Sequence, residues 1–312
     1  MNTATKVAGF VAALAATFGI TWGIGNAVGP LSEPALSRDA GHDADHEGGT
    51  PSPGTEPAAE TPGGLMVSQN GYTLRVADQQ AAAGDSVDVA FTIGGPDGRP
   101  VTAYDVEHEK LLHLIAVRRD FTGFQHVHPE LGSNGVWTTQ LDLTSGQWRL
   151  FADFKATDAD PLTLGADLAV GGVYEPATAS TESRTAKVDG YTVNLEGDLE
   201  AGTDAELTLS ISRDGEPVTD LEPYLGAYGH LVALRGGDLA YLHVHPDGTP
   251  GDDSTQPGPD VVFYAGVPSR GAYHLYLDFK HQGVVRTAEF TVAAGDEAKS
   301  GEEHGDDDAH DH

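Results

Sequence analysis

Short stretches of alternating apolar and polar residues, separated by turn residues, fill the chain from Leu65 to residue 294. Residues 71–76 and 86–93 alternate in this way, and the turn-forming cluster of residues 94–98 follows. An alternation with a period of two places one set of side chains on each face of a sheet. No part of this region has a convincing helical period. The pattern therefore predicts an all-β protein.

The order of these predicted strands occurs twice. Gly71-Tyr72 reappears as Gly190-Tyr191. The predicted strand that ends in Asp153-Phe-Lys reappears as a strand that ends in Asp278-Phe-Lys. Short strands between turn residues are typical of immunoglobulin-like sandwiches of about seven strands. We expect two tandem immunoglobulin-like (cupredoxin-like) β-sandwich domains, at residues 65–173 and 188–294, joined by a linker at residues 174–187.

The ends of the chain differ in composition from the repeats. Residues 7–25 carry no charge, which predicts a transmembrane anchor, with a cleaved signal peptide as the alternative, within residues 1–30. Residues 31–64 are acidic and rich in Pro and Gly, and residues 295–312 are acidic and contain His, so both are predicted to be disordered. Lys6 precedes the apolar run, so the positive end of the run is expected to stay in the cytoplasm. This predicts a single-pass cell-membrane protein with extracytoplasmic domains. If the segment is instead a cleaved signal, the protein is secreted.

Charge and cysteine content exclude several classes of function. The 312 residues carry a formal net charge of -31, so nucleic acid is not an expected partner. The absence of Cys excludes disulfides, thiolate metal sites and cysteine nucleophiles.

A histidine pattern occurs once in each repeat. His113 is followed 13 residues later by His126-Val-His128-Pro, and His230 by His243-Val-His245-Pro at the same spacing. Residues i and i+2 of a strand share a face. In an antiparallel hairpin with a two-residue turn, the first His of each motif would lie directly opposite the second, with Cβ atoms about 4.5–5.5 Å apart. A three-residue loop with a bulge would break this parity.

Three neutral imidazoles on one face suit a divalent transition metal, with copper or zinc as the expected cofactor. The two Met residues lie away from the motifs, so a thioether copper site is excluded. The predicted metal ligands are His113, His126, His128, His230, His243 and His245. Candidate fourth ligands are water and the following side chains: Glu107, His108, Glu130, Asp247, and the pair Asp153 and Asp278, which could instead orient a ligand. In the alternative interpretation, the motif histidines are structural contacts and bind no metal. His274 and His281 lie outside the motif and are interpreted as surface residues.

The stretch Gly229-His230-Leu-Val, continued by His243-Val-His245-Pro, resembles a group of little-characterised bacterial exported tandem β-sandwich proteins. That group is often linked to heavy-metal handling, so the resemblance implies an exported metal-binding protein. The first repeat departs from it, because Leu112 stands where the group has the Gly before His.

Together these patterns predict a protein that binds copper or zinc outside the cytoplasm, for buffering or for transfer to an envelope metal-transport protein. The alternative is a metal-free structural or protein-interaction module of the cell envelope. Catalysis is not expected, because the sequence lacks nucleophile-elbow, zinc-protease and phosphate-loop motifs.

Overall fold

The computed structural model of the chain describes residues 61–178, 181–242 and 244–295. The described residues leave out the predicted anchor within residues 1–30. They also leave out most of the two segments predicted to be disordered, at residues 31–60 and 296–312. The described part of the chain contains no helix with the length and hydropathy that a bilayer crossing requires.

The first sandwich is built from two sheets, which are antiparallel except where β3 runs parallel to β11. One sheet has the order β1-β2-β4-β9-β8, and the other has the order β3-β11-β10-β6-β7, with β5 added beside β10. Several of the strands are only two or three residues long, so their number exceeds the predicted seven. The strands are β1 (Ser68–Gln69), β2 (Tyr72–Val76), β3 (Gln80–Ala82), β4 (Gly84–Gly94), β5 (Tyr104–Asp105), β6 (Leu112–Arg118), β7 (Gln125–Val127), β8 (Glu130–Leu131), β9 (Val136–Leu143), β10 (Gly146–Ala156) and β11 (Leu162–Gly171).

The second sandwich repeats this arrangement. Its sheets have the orders β12-β13-β15-β19-β18, with β16 beside β15, and β14-β21-β20-β17. The strands are β12 (Thr185–Val188), β13 (Tyr191–Glu196), β14 (Leu199–Glu200), β15 (Asp204–Arg213), β16 (Glu216–Pro217), β17 (His230–Arg235), β18 (Val244–Pro246), β19 (Asp260–Gly266), β20 (Gly271–His281) and β21 (Val284–Gly295). The predicted fold class, two tandem immunoglobulin-like β-sandwiches, is confirmed.

Each sandwich has its own apolar core between its two sheets. On β10, Trp148, Leu150, Ala152 and Phe154 alternate into the core of the first sandwich. In the second sandwich, Tyr273, Leu275, Leu277 and Phe279 of β20 do the same. This is the period-two burial that the sequence pattern predicts.

A third apolar cluster lies between the two sandwiches, which belong to one compact unit. It is formed by the opposite faces of β6, β10, β17 and β20, so these strands are apolar on both sides. The tyrosine at its centre, Tyr276, stacks on Phe124 with ring centroids 4.0 Å apart and donates a hydrogen bond of 2.8 Å to the carbonyl of Phe121. The buried members are Ile115, Val117, Phe151, Val232, Leu234, Leu239 and Tyr276.

Candidate metal centre

The three histidines of the first motif meet at the edge of this interface. His113 lies on β6 and shares its outward face with Ile115 and Val117, whereas Leu112 and Leu114 point into the first sandwich. His126 lies on β7, which pairs with β6, and His128 follows directly after that strand. The strand pairing therefore brings residues that are far apart in sequence to one face.

The register of this hairpin differs from the predicted one by two residues. His126 lies opposite Ile115, and not opposite His113 as the two-residue turn required. The chain turns through a three-residue loop in which the Arg118 amide donates to the carbonyl of Thr122 and the Phe121 amide donates to the carbonyl of Arg118. Phe121 has a φ of 65°. A further irregularity at Gly123, φ 68°, restores the odd-sum parity, so all three histidines still share a face.

The three imidazoles are close enough to hold one ion. One ring nitrogen from each of His113, His126 and His128 lies within 4.8 Å of the other two. The Nδ1 of His113 and the Nε2 of His126 are 3.1 Å apart. His113 is 2 % exposed, and the side chain of His126 is 1 % exposed, so the pair is shielded from water.

The outer nitrogens of this pair, which are the ring nitrogens that point away from the His113–His126 contact, both have hydrogen-bond partners. The Nε2 of His113 lies 3.1 Å from the carbonyl oxygen of Glu107, which can only accept a hydrogen bond. The Nδ1 of His126 lies 2.8 Å from a carboxylate oxygen of Asp278. Both oxygens can only accept, so each ring donates its outward N–H. In the neutral form of both rings, which carries a single N–H, the two nitrogens that face each other then both present lone pairs.

The third histidine of the cluster has a buried ring nitrogen without a partner in the described part of the chain. The Nε2 of His128 is buried and has no hydrogen bond within the described residues. The pKa of His113 is lowered to about 4 and that of His128 to about 3. Burial is the largest cause in both, and the neighbouring His126 is the second. The site therefore favours the neutral imidazole, which is the form that ligates metals.

The second sandwich contributes to this cluster. Asp278 on β20 contacts His126 across the interface, and its other carboxylate oxygen accepts a 2.6 Å hydrogen bond from Thr287. His230 on β17 stacks beside His113 with ring centroids 5.6 Å apart, and its centroid is 4.7 Å from that of His126. Its Nδ1 is buried without a hydrogen-bond partner in the described part of the chain, and burial places its pKa well below the ordinary value. His230 is not among the three residues whose nitrogens lie within 4.8 Å of one another.

The second motif does not form the predicted hairpin. After Leu242 bonds to the carbonyl of Ala233, the chain leaves β17, and β18 pairs with β19 in the opposite sheet. His245 is exposed there and lies opposite Tyr264. The predicted two-residue turn is therefore wrong for this copy, in which the Arg235 amide donates to the carbonyl of Ala240 across residues 236–239. The remaining predicted ligand, His243, lies outside the described residues.

A cavity of about 280 Å³ opens beside the cluster. His113 and His230 form part of its wall, together with His108, Asp153 and His245. Two members of the histidine cluster therefore border a cavity whose wall also carries Lys110.

The other predicted residues are dispersed. Glu130 and Asp247 are exposed, and Glu130 pairs with Thr138 in the sheet away from the cluster. His108 lies near the cluster, with its ring centroid 5.9 Å from that of His230.

The two histidines interpreted as surface residues do not fit that interpretation. His281 is 5 % exposed and bonds to Tyr191 and Asp220, and His274 stacks on Phe121 with centroids 3.7 Å apart.

The sequence predicted one part of the contact between Asp278 and His126 and not the other. The repeated Asp-Phe-Lys motif marked Asp153 and Asp278 as partners for a ring nitrogen. The pattern did not indicate that Asp278 would reach a histidine of the other sandwich, because docking between domains leaves no local signal.

The family comparison agrees with the duplication. The family described as a domain of unknown function, DUF8832, matches the chain over residues 67–170 and again over residues 186–296. The chain belongs to the DUF8832 family. Its two DUF8832 copies correspond to the two sandwiches that enclose the histidine cluster.

Solved structures similar to this tandem DUF8832 chain are immunoglobulin-like in character but distant. The Escherichia coli adhesin FdeC is 16 % identical, with 73 % of this chain and 65 % of that chain covered and a TM-score of 0.25. The Yersinia pseudotuberculosis adhesin InvE is 12 % identical, with 72 % and 59 % covered and a TM-score of 0.21. A marsupial T cell receptor is 10 % identical, with 72 % and 99 % covered and a TM-score of 0.21.

This chain spans less than two thirds of either adhesin chain. At these TM-scores the likenesses carry no information on function. No curated protein matches the sequence.

Proposed function

We propose that this protein binds one divalent transition metal ion, copper or zinc, through His113, His126 and His128, outside the cytoplasm. The bound ion would be buffered or passed to an envelope partner. Binding, and not catalysis, is the proposed activity.

The observation that carries this proposal is the close approach of two ring nitrogens, one from His113 and one from His126. The facing nitrogens of His113 and His126 are 3.1 Å apart, while both outer nitrogens donate to oxygen atoms. Two lone pairs at this distance repel each other unless a cation or a proton lies between them. Two nitrogens bound to one zinc ion at 2.0–2.1 Å, with tetrahedral angles, are about 3.3 Å apart. The observed separation is close to that value.

The third nitrogen strengthens the argument. A buried polar atom without a partner costs about 1–3 kcal/mol, and the Nε2 of His128 is such an atom within the described residues. Metal ligation would satisfy all three nitrogens together. Three imidazole ligands leave a fourth position open, which suits either a bound water or a group from a receiving protein.

A metal-free interaction module is the second candidate. It is favoured by the bond between His126 and Asp278, because a buried hydrogen bond between two domains can be retained for docking alone. In that case His113, His126 and His128 would serve the interface and no ion would be needed.

Metal titration of the full chain separates these candidates. Metal-free protein is titrated with Zn²⁺, and separately with Cu²⁺, at neutral pH, and the content is checked by elemental analysis after gel filtration. We expect one tightly bound ion per chain in the native protein and its loss in His113→Gln.

The matched control is His274→Gln, because His274 lies on β20 toward the other end of the interface and stacks on Phe121. This variant removes one histidine of the 14 without touching the cluster, so it should retain the tight site. Metal content near zero in the native protein, or unchanged content in His113→Gln, would favour the metal-free module.

A further inference from the structure

We infer that the metal site belongs to both sandwiches, with Asp278 of the second sandwich as the positioning residue for the ligand His126 of the first. Ion binding and docking of the two sandwiches would then be coupled. This inference rests on the proposed function.

A continuous chain of hydrogen bonds supports it. Thr287 donates to one carboxylate oxygen of Asp278 at 2.6 Å, and His126 donates its Nδ1–H to the other oxygen at 2.8 Å. The side chains of His126 and Asp278 are 1 % and 4 % exposed. Both oxygens of this carboxylate are therefore held, and its direction toward the imidazole is set by strands β20 and β21 of the second sandwich.

A carboxylate in this position has a defined effect on a metal ligand. It fixes the tautomer and the orientation of the ring, and it increases the electron donation of the opposite nitrogen. In His126 that opposite nitrogen is Nε2, the atom that faces His113 at 3.1 Å. Loss of such a partner typically lowers metal affinity by about 10–100-fold.

The carboxylate reaches His126 only when the two sandwiches are docked. Docking rests on the apolar interface cluster and on the bond from Tyr276 to the carbonyl of Phe121. His230 adds a second contribution from the same sandwich, because it lies against both His113 and His126 and shields them on that side. A site that binds the ion more tightly in the docked state must in turn favour that state when the ion binds, by the same factor.

The test compares Zn²⁺ affinity in the full chain for the native protein, Asp278→Asn and Thr287→Val. Asparagine keeps the size of the side chain and removes its charge, so we expect a loss of about 10–100-fold in affinity. Thr287→Val leaves the carboxylate but removes one of its restraints, so its loss should be smaller and of the same sign. This milder variant decides the matter if Asp278→Asn does not fold.

The matched control is Asp120→Asn. Asp120 is also a largely buried carboxylate held by hydrogen bonds, from Arg118 and Thr122, and it lies away from the histidines. This variant should bind Zn²⁺ as the native protein does, even if it is less stable.

Two spectroscopic readouts distinguish positioning from general destabilisation. The hydrogen-bonded Nδ1–H of His126 should give a strongly downfield proton resonance that disappears in Asp278→Asn. The Cu²⁺ EPR spectrum of that variant should differ from the native spectrum at full occupancy.

Native affinity in both Asp278→Asn and Thr287→Val, with tight binding by the native protein, would overturn the shared site and leave the proposed function intact. Absence of tight binding in the native protein would overturn both.

Discussion

Replacing Phe151 with alanine tests whether the two sandwiches are docked in solution, which the shared site requires. Phe151 lies on β10 and is fully buried, but it belongs to the interface cluster and not to the core of its own sandwich. Its ring lies 5.7 Å from that of Tyr241 in the second sandwich. The neighbouring domain therefore supplies part of its burial, and Gly64 and the cross-strand residue Ile115 supply the rest.

The expected magnitude follows from that placement. Truncation of a fully buried Phe costs about 3–5 kcal/mol, through lost transfer free energy and the cavity that remains. On an undocked sheet the same side chain would keep only the cover of Gly64 and Ile115, so its truncation should cost far less. The two arrangements thus differ by several kcal/mol in the free energy of unfolding.

Guanidinium denaturation of the full chain measures this difference. Trp137 and Trp148 are both buried in the first sandwich and report its unfolding by fluorescence. Phe154→Ala is the matched control, since Phe154 lies on the same strand and points into the core of its own sandwich. A large loss of stability in Phe154→Ala, with less than about 0.5 kcal/mol in Phe151→Ala, would refute the docked arrangement.

Three further outcomes are expected. Tyr276→Phe removes the hydroxyl that donates to the carbonyl of Phe121, so it should cost about 1–3 kcal/mol by the same denaturation assay. Burial acts to raise the pKa of Asp120, but hydrogen bonds from Arg118, the Ala177 amide and Thr122 outweigh it and leave the pKa below its ordinary value of 3.8. A carboxyl with a lowered pKa stabilises the fold above that ordinary value and loses this effect as the pH falls. Asp120→Asn should therefore be less stable than the native protein at pH 7, and the difference should shrink below about pH 4 in a denaturation series. Zn²⁺ at a hundredfold excess over its Kd should stabilise chelator-treated protein by about 2.7 kcal/mol. That corresponds to a rise in Tm of about 5–11 °C for a domain pair of this size, and EDTA should reverse it.

The fold could be predicted from the sequence because burial follows a period of two. The stretch of β6 is apolar on both faces, and the strand is buried on both faces from Leu112 to Val117. The sequence could not show what covers its second face. A neighbouring sheet of the same domain and a second domain give the same pattern, so the interface through Ile115 and Val232 appears only in the structure.

The candidate site was predictable in its residue types but not in its assembly. The motif spacing is equal in the two repeats, yet His126 lies on a strand that stays beside β6 whereas His245 lies on a strand that joins β19. Loop conformations decide this difference. Phe121 and Leu239 both have positive φ, but Leu239 is buried in the interface cluster and the chain leaves β17 shortly after it. Spacing alone carries no information on such turns.

The equivalent positions His128 and His245 therefore offer a matched pair that tests the assigned ligand set. His128 has a buried Nε2, and one of its ring nitrogens lies within 4.8 Å of nitrogens from His113 and His126. His245 is an exposed residue of the opposite sheet. Even residues that only orient a ligand contribute about 10–100-fold to metal affinity, so His128→Gln should lower Zn²⁺ affinity by at least about tenfold. His245→Gln should leave the affinity of the tight site near the native value.

Calorimetric titration of both variants in the full chain checks this expectation, with metal content by elemental analysis as a second readout. The two substitutions remove the same chemical group from the same motif position, so a general effect of losing one histidine would be equal in both. Equal losses would show that the motif, and not the local packing around His128, determines binding. In that case the ligand set would have to be reassigned to include the second repeat.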